Sequence, residues 1–87
     1  MVEKEPEVMV YSTQTCPYCV MAKRYLSEKG VAYADYDVGS DQRRAFEMLG
    51  KTGQMGVPVL DINGVVVVGF DRPAIDRAIE GLKPRAV

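Results

Sequence analysis

Eighty-seven residues, 47% of them apolar and 26% charged, have the balance of one ordinary globular domain and not of a disordered chain. Eleven basic and twelve acidic residues leave a net charge of −1, which argues against nucleic acid or an anionic membrane as partner, since both are recognised by concentrated positive charge. Histidine is absent, which removes Ser-His and Cys-His catalysis and any zinc site that needs imidazole.

Residues 1–7 are polar and read as a leader. They lack the basic patch and apolar stretch of a signal peptide. Uncharged runs such as 62–70 fall far short of the roughly 20 residues that span a bilayer.

Val8, Met9, Val10 and Tyr11 form an apolar run without alternation, which suits a strand buried on both faces. A polar turn follows, then Cys16 as N-cap and Pro17 at the first helical position. Val20, Met21, Ala22, Tyr25 and Leu26 predict the buried stripe of that helix, and Gly30 ends it. Residues 31–38 are dominated by strand formers and predict a second strand. Ser40 is the expected N-cap of a second helix running to about Lys51, with Ala45, Phe46 and Leu49 inward and Gly50 and Gly53 near its end.

Two strands over 57–62 and 65–68 flank Asn63-Gly64, a strong hairpin signal because a type I′ turn needs positive φ at both central residues. Asp71 then caps a last helix with Pro73 in its first turn. Ile75, Ala78, Ile79 and Leu82 form its inward stripe, and Pro84 is the expected stop. The order β-α-β-α-β-β-α predicts a mixed sheet with helices on both faces. Its first βαβ unit is parallel and right-handed, and its hairpin antiparallel.

Cys16 and Cys19 are the only cysteines. Two thiols are too few for a disulfide scaffold and cannot close a four-ligand metal site in one chain, so no metal is expected. Where a strand passes into a helix, unpaired N–H groups and the macrodipole favour a thiolate, which is the form that attacks a disulfide. The spacing therefore points to Cys16 as attacker and to the more buried Cys19 as resolving thiol. Two alternatives stand beside this: a pair of inert core cysteines, and a zinc or iron–sulfur site completed by a second chain.

Over roughly residues 8–83 the sequence resembles glutaredoxins, within the thioredoxin superfamily. Three separated features carry the likeness: Thr15-Cys16-Pro17-Tyr18-Cys19, Gly56-Val57-Pro58, and Gly69-Phe70-Asp71. The resemblance implies a thioredoxin-like α/β fold with a four-stranded mixed sheet, a domain over 8–83 and a tail over 84–87. It implies a dithiol–disulfide oxidoreductase acting on protein or glutathione mixed disulfides. Cys16 is similar to the family's nucleophile and Cys19 to its resolving thiol. Tyr18 resembles the ring flanking bound peptide or glutathione, and Val57 the residue whose backbone pairs with substrate ahead of a cis Pro58. Phe70 and Asp71 resemble the site for the γ-glutamyl end of glutathione, although Asp71 also reads as a plain helix cap and Phe70 as packing.

No tightly bound cofactor is implied, and glutathione is a possible reductant. The expected partners are disulfide-containing proteins, with glutathione or a flavoprotein disulfide reductase supplying electrons. A cytoplasmic monomer is expected. The chain departs from the commoner pattern at Thr13, where many glutaredoxins carry a lysine or arginine facing glutathione. Lys23, Arg24 and Lys51 are the candidate cations that remain near the site. That departure keeps open a redoxin dedicated to one partner, of the ribonucleotide-reductase type, reduced by a thioredoxin reductase. An iron–sulfur carrier is a further alternative, opposed by the rigid Pro17.

Overall fold

The computed structural model describes residues 6–82. Most of the expected leader, the tail and Pro84 lie outside the described residues. Seven elements follow in the expected order: β1 (Val8–Ser12), α1 (Pro17–Glu28), β2 (Ala34–Asp37), α2 (Gln42–Thr52), β3 (Val59–Ile62), β4 (Val65–Val68) and α3 (Arg72–Glu80). They form a four-stranded sheet in the order β2-β1-β3-β4. β1 runs parallel to β2 and antiparallel to β3, and β3 pairs antiparallel with β4.

β1 is central, and its side chains are shared between two cores. Val8 and Val10 pack with Leu60 and Ile62, under Ala22 and Leu26 of α1 and Ile75 and Ala78 of α3. Met9 and Tyr11 point to the other face, where Met48 of α2 and Val59 meet them. Helices cover the sheet on both sides, so the run 8–11 needs no alternation. Each fully buried side chain of this size contributes about 1.5–3 kcal/mol of transfer free energy.

Several expectations shift locally. β2 is shorter than the predicted 31–38, because its first residues close α1 instead. The Gly30 N–H donates to the Ser27 carbonyl at 3.0 Å and the Val31 N–H to that of Leu26 at 2.9 Å. Gly30 takes φ +74°, so the helix ends in a Schellman motif with Val31 packed back on the core. In α1, Ala22, Leu26 and Cys19 are buried, whereas Val20 and Met21 are exposed.

In α2 the N-cap is Asp41 and not Ser40. The Asp41 Oδ1 accepts the Arg44 N–H at 3.2 Å, and the Ser40 and Asp41 N–H groups both donate to the Asp37 carbonyl, at 3.3 and 2.9 Å, in the turn that precedes the helix. The buried pair is Ala45 and Met48, and Phe46 is 65% exposed with Leu49 also outside. Polar side chains take the inward flank. Tyr11 donates to Glu47 at 2.8 Å, and Lys51 reaches both Tyr11 and Asp61. With that flank turned to Tyr11, Phe46 faces away.

The hairpin turn is as expected, with Asn63 at φ 51° and Gly64 at φ 93°. Asp71 caps α3 by accepting the Ala74 N–H at 3.2 Å. The helix stops at Glu80 with Gly81 as its cap, ahead of Pro84.

Candidate active site

β1 ends at Ser12 and hands the chain to a short turn that opens α1. Cys16 is extended (φ −99°, ψ 109°) and acts as N-cap, its Sγ accepting the Cys19 N–H at 3.2 Å. Its carbonyl accepts from the N–H groups of Cys19 and Val20 at 3.1 and 3.3 Å. Pro17 has no N–H to orphan at this end. The Cys16 sulfur thus sits where the helix presents amide hydrogens and the positive end of its dipole. Cys16 is partly exposed and Cys19 is buried, both as free thiols.

The second sequence feature meets the first across the fold. The Val57–Pro58 bond is cis, and the Val57 carbonyl oxygen lies 3.9 Å from Cys16 Sγ. The third feature is tied to the second. The Gly69 N–H donates to the Pro58 carbonyl at 2.7 Å, with Gly69 at φ +87°. Two segments far apart in sequence therefore meet at one thiol, and the third is hydrogen-bonded to the second of them.

Burial pushes the Cys19 thiol up to about 11, and neighbouring Cys16 adds to the shift. A backbone hydrogen bond from Thr13 and the charge of Lys23 oppose it. The two thiols thus differ in access to solvent, and the inner one is held as a thiol at neutral pH.

The remaining candidates divide. Thr13 borders the site, half-buried, with its backbone on the Cys19 sulfur. Tyr18 is 61% exposed in the first turn of α1, and Val57 is half-buried against the α2-side core. Phe70 packs edge-on against Tyr25, ring centroids 5.9 Å apart. With Met21, Asp71, Arg72 and Pro73 it lines a shallow depression. Asp71 is exposed and is the cap of α3.

Lys51 does not serve the site. It is bound to Asp61 at 2.6 Å and to Tyr11 at 2.8 Å, and Asp61 pairs with Met9 at the start of β1, away from the cysteine turn. Arg24 is exposed to solvent. Lys23 is the cation that acts on Cys19, and its helical spacing of four from that residue was the sequence signal for it. Two acids join the site with no local sequence signal to mark them. Asp35 accepts from Lys23 and Ser12. Asp37 accepts from Gln14 at 3.1 Å and lines a shallow depression with Thr13, Gln14 and Thr15.

A four-stranded mixed sheet between two helical layers, with a dithiol at the β1–α1 junction against a cis-proline turn, defines a thioredoxin-like fold. Comparison with known proteins narrows the class. The glutaredoxin family model matches residues 8–67. An uncharacterised glutaredoxin-like 8.6 kDa protein in the rubredoxin operon of Clostridium pasteurianum is 41% identical over 73 residues, covering 84% of this chain and 97% of that one. Glutaredoxin 3 of Escherichia coli K12 is 34% identical over 77 residues, covering 88% of this chain and 93% of that one. Among solved structures, the thioredoxin-like protein BC3987 superposes with a TM-score of 0.77 at 31% identity, covering 82% of this chain and 97% of that one. The chain belongs to the glutaredoxin family, whose members are thiol–disulfide oxidoreductases.

Proposed function

We propose that this protein reduces disulfides by a two-thiol route in which Cys16 attacks and Cys19 resolves. The Cys16 thiolate attacks one sulfur of a substrate disulfide, forming a mixed disulfide and expelling the other sulfur as a thiolate that takes up a proton. Cys19, as thiolate, then attacks Cys16 Sγ. The Cys16–substrate bond breaks, the Cys16–Cys19 bond forms, and the second substrate sulfur leaves reduced. The observation that carries this reading is the asymmetry of the pair. Cys16 Sγ accepts an amide at the open end of α1, while Cys19 is fully buried one turn inside.

An extended substrate segment fits beside Val57, whose backbone precedes the cis bond, with the exposed Tyr18 ring along the same approach. Phe70 and Asp71 would meet the far end of a glutathione-sized ligand. The substrates are disulfide-containing proteins, met by a monomer in the cytoplasm, where reduced thiols are maintained. No tightly bound cofactor enters the cycle.

A second reading concerns the electron source. Thr13 brings no charge to the approach, and Asp37 beside it brings a negative one, which disfavours an anionic tripeptide and favours a flavoprotein reductase that docks by surface. A redoxin dedicated to one protein and reduced by a thioredoxin reductase fits that arrangement.

The test offers the oxidised protein two reducing systems, glutathione with its reductase and NADPH with thioredoxin reductase. Cys16→Ser should lose all disulfide reduction, because an alcohol is a far poorer nucleophile than a thiolate near neutral pH. Cys19→Ser should trap mixed disulfides with protein substrates. Equal loss of thiol reactivity in both variants with no trapped adduct would overturn the assignment.

A further inference from the structure

One ion pair near the dithiol is better anchored than a surface pair needs to be. Lys23 Nζ lies 2.9 Å from Asp35 Oδ2, and Asp35 Oδ1 accepts the Ser12 hydroxyl at 2.7 Å. Ser12 is 3% exposed at the end of β1, next to Thr13. Lys23 is itself only a quarter exposed, at 25%. The chain Ser12–Asp35–Lys23 therefore pins an ammonium against the wall of α1. An exposed ion pair of this kind contributes at most about 1 kcal/mol to stability, so stability is a weak reason for it.

Its position gives a stronger one. Lys23 follows Cys19 by four residues on α1, so the two side chains are neighbours on one helix face, with Cβ atoms about 5–6 Å apart. Each feels the charge of the other. Two influences favour the charged form of Cys19, a backbone hydrogen bond from Thr13 and the charge of Lys23. We propose that Lys23, held in place by Asp35 and Ser12, is a positioning residue for resolution that stabilises the thiolate Cys19 must become before it attacks Cys16. This rests on the reading of Cys19 as the resolving thiol.

The need for such a group follows from burial. A thiol held near 11 is ionised in roughly one molecule in ten thousand at neutral pH. In the mixed disulfide Cys16 carries no charge, so its opposition to a Cys19 thiolate disappears. Of the influences that act most strongly on Cys19, burial then stands on one side, and Lys23 with the Thr13 amide on the other. Asp35, which faces Lys23 from β2, offsets part of its charge and limits the effect, while the Tyr33 hydroxyl on the same side is uncharged near neutral pH. In the step itself the Cys19 proton passes to solvent and the thiolate displaces the partner sulfur from Cys16. The partner leaves as a thiolate and takes a proton from solvent, so atoms and electrons balance.

A chromophoric disulfide, dithiobis(nitrobenzoate), reads both steps. Attack by Cys16 releases one nitrothiobenzoate and resolution by Cys19 releases the second. Lys23→Met should slow the second release by about three- to tenfold near neutral pH, the size expected of a screened, partly exposed charge. It should move the pH profile of that phase to higher pH and alter the first phase far less. Lys23→Arg should restore most of the rate, and Lys29→Met, at the other end of α1, should leave both phases unchanged. Urea midpoints for each variant report whether it is folded. A second phase in Lys23→Met with wild-type rate and pH profile, while Cys19→Ser releases only one chromophore, would overturn the role of Lys23. Two releases from Cys19→Ser would instead overturn the reading of Cys19.

Discussion

Alkaline pH should weaken the reduced protein through Cys19 in particular. The folded chain holds this thiol at about 11 against its ordinary 9.0, chiefly by burial. The native state therefore keeps a proton that the unfolded chain gives up. The contribution is whole below about pH 9 and is lost as the pH climbs to about 11. Two units at about 1.4 kcal/mol each amount to about 3 kcal/mol. Cys19 is 0% exposed, so solvent screening removes little of this. A domain of 87 residues has only about 4–13 kcal/mol of stability in all, so the loss is a large fraction.

Four other groups act in the same direction at high pH: Tyr11, Lys51, Lys23 through its hydrogen bond to Asp35, and Tyr25 through its hydrogen bond to Asp76. Burial raises Tyr11. Burial would lower Lys51, but its hydrogen bonds to Asp61 and Tyr11 outweigh that and raise it. The measurement must separate them from Cys19. Urea unfolding under a reductant, at steps from about pH 8 to about pH 11, would be run on the parent and on Cys19→Ala. The parent should lose about 3 kcal/mol more than the variant across that range, whatever their starting stabilities. The oxidised parent, run without reductant, should lack this Cys19-dependent loss. Parallel curves for reduced parent and Cys19→Ala would refute the reasoning.

Lys51→Met leaves the Asp61 carboxylate, 6% exposed, without its cation. It should cost about 2–4 kcal/mol in urea unfolding, while adding Asp61→Leu should recover more than half of that; a double variant as damaged as the sum of the singles would contradict this. Thr13→Lys should raise glutathione-dependent turnover by about two- to fivefold, more at low salt than at high. The gain should grow when Asp37→Asn is added, because Thr13 and Asp37 stand on either side of Gly39 and the carboxylate would take up part of the new charge. Turnover that is unchanged at both ionic strengths would show that charge at this position is irrelevant. Asp71→Ala should lose about 1 kcal/mol with the cap. Asp71→Asn should keep that stability and lower glutathione turnover, whereas unaltered turnover would reduce Asp71 to a cap.

What the sequence determined by itself was local. Cys16 and Asp71 as N-caps, Pro17 and Pro73 in first turns, and Asn63-Gly64 as a hairpin each follow from backbone demands that reach only a few residues. The element order, and from it the mixed two-faced sheet, came from such signals laid end to end. The pairing of Cys16 with Cys19 was legible for the same reason, since three residues of helix bring both sulfurs to one side. Facing was not legible wherever two choices were locally equal. Ser40 and Asp41 are both good caps; both of their N–H groups close the turn on the Asp37 carbonyl, and that turn leaves the Asp41 side chain, not that of Ser40, over the Arg44 N–H. Phe46 is the more apolar candidate for the inner face of α2, but Met48 fits against Met9, Tyr11 and Val59. The flank beside it was taken by Glu47 and Lys51, whose partners Tyr11 and Asp61 lie on other strands. The electrostatics of the site belong to the tertiary structure for the same reason. Lys23 reads as one more surface lysine until β2 brings Asp35, and β1 brings Ser12, to fix its ammonium beside the helix that carries Cys19. An ion pair depends on where separate segments cross, and no local propensity encodes that crossing.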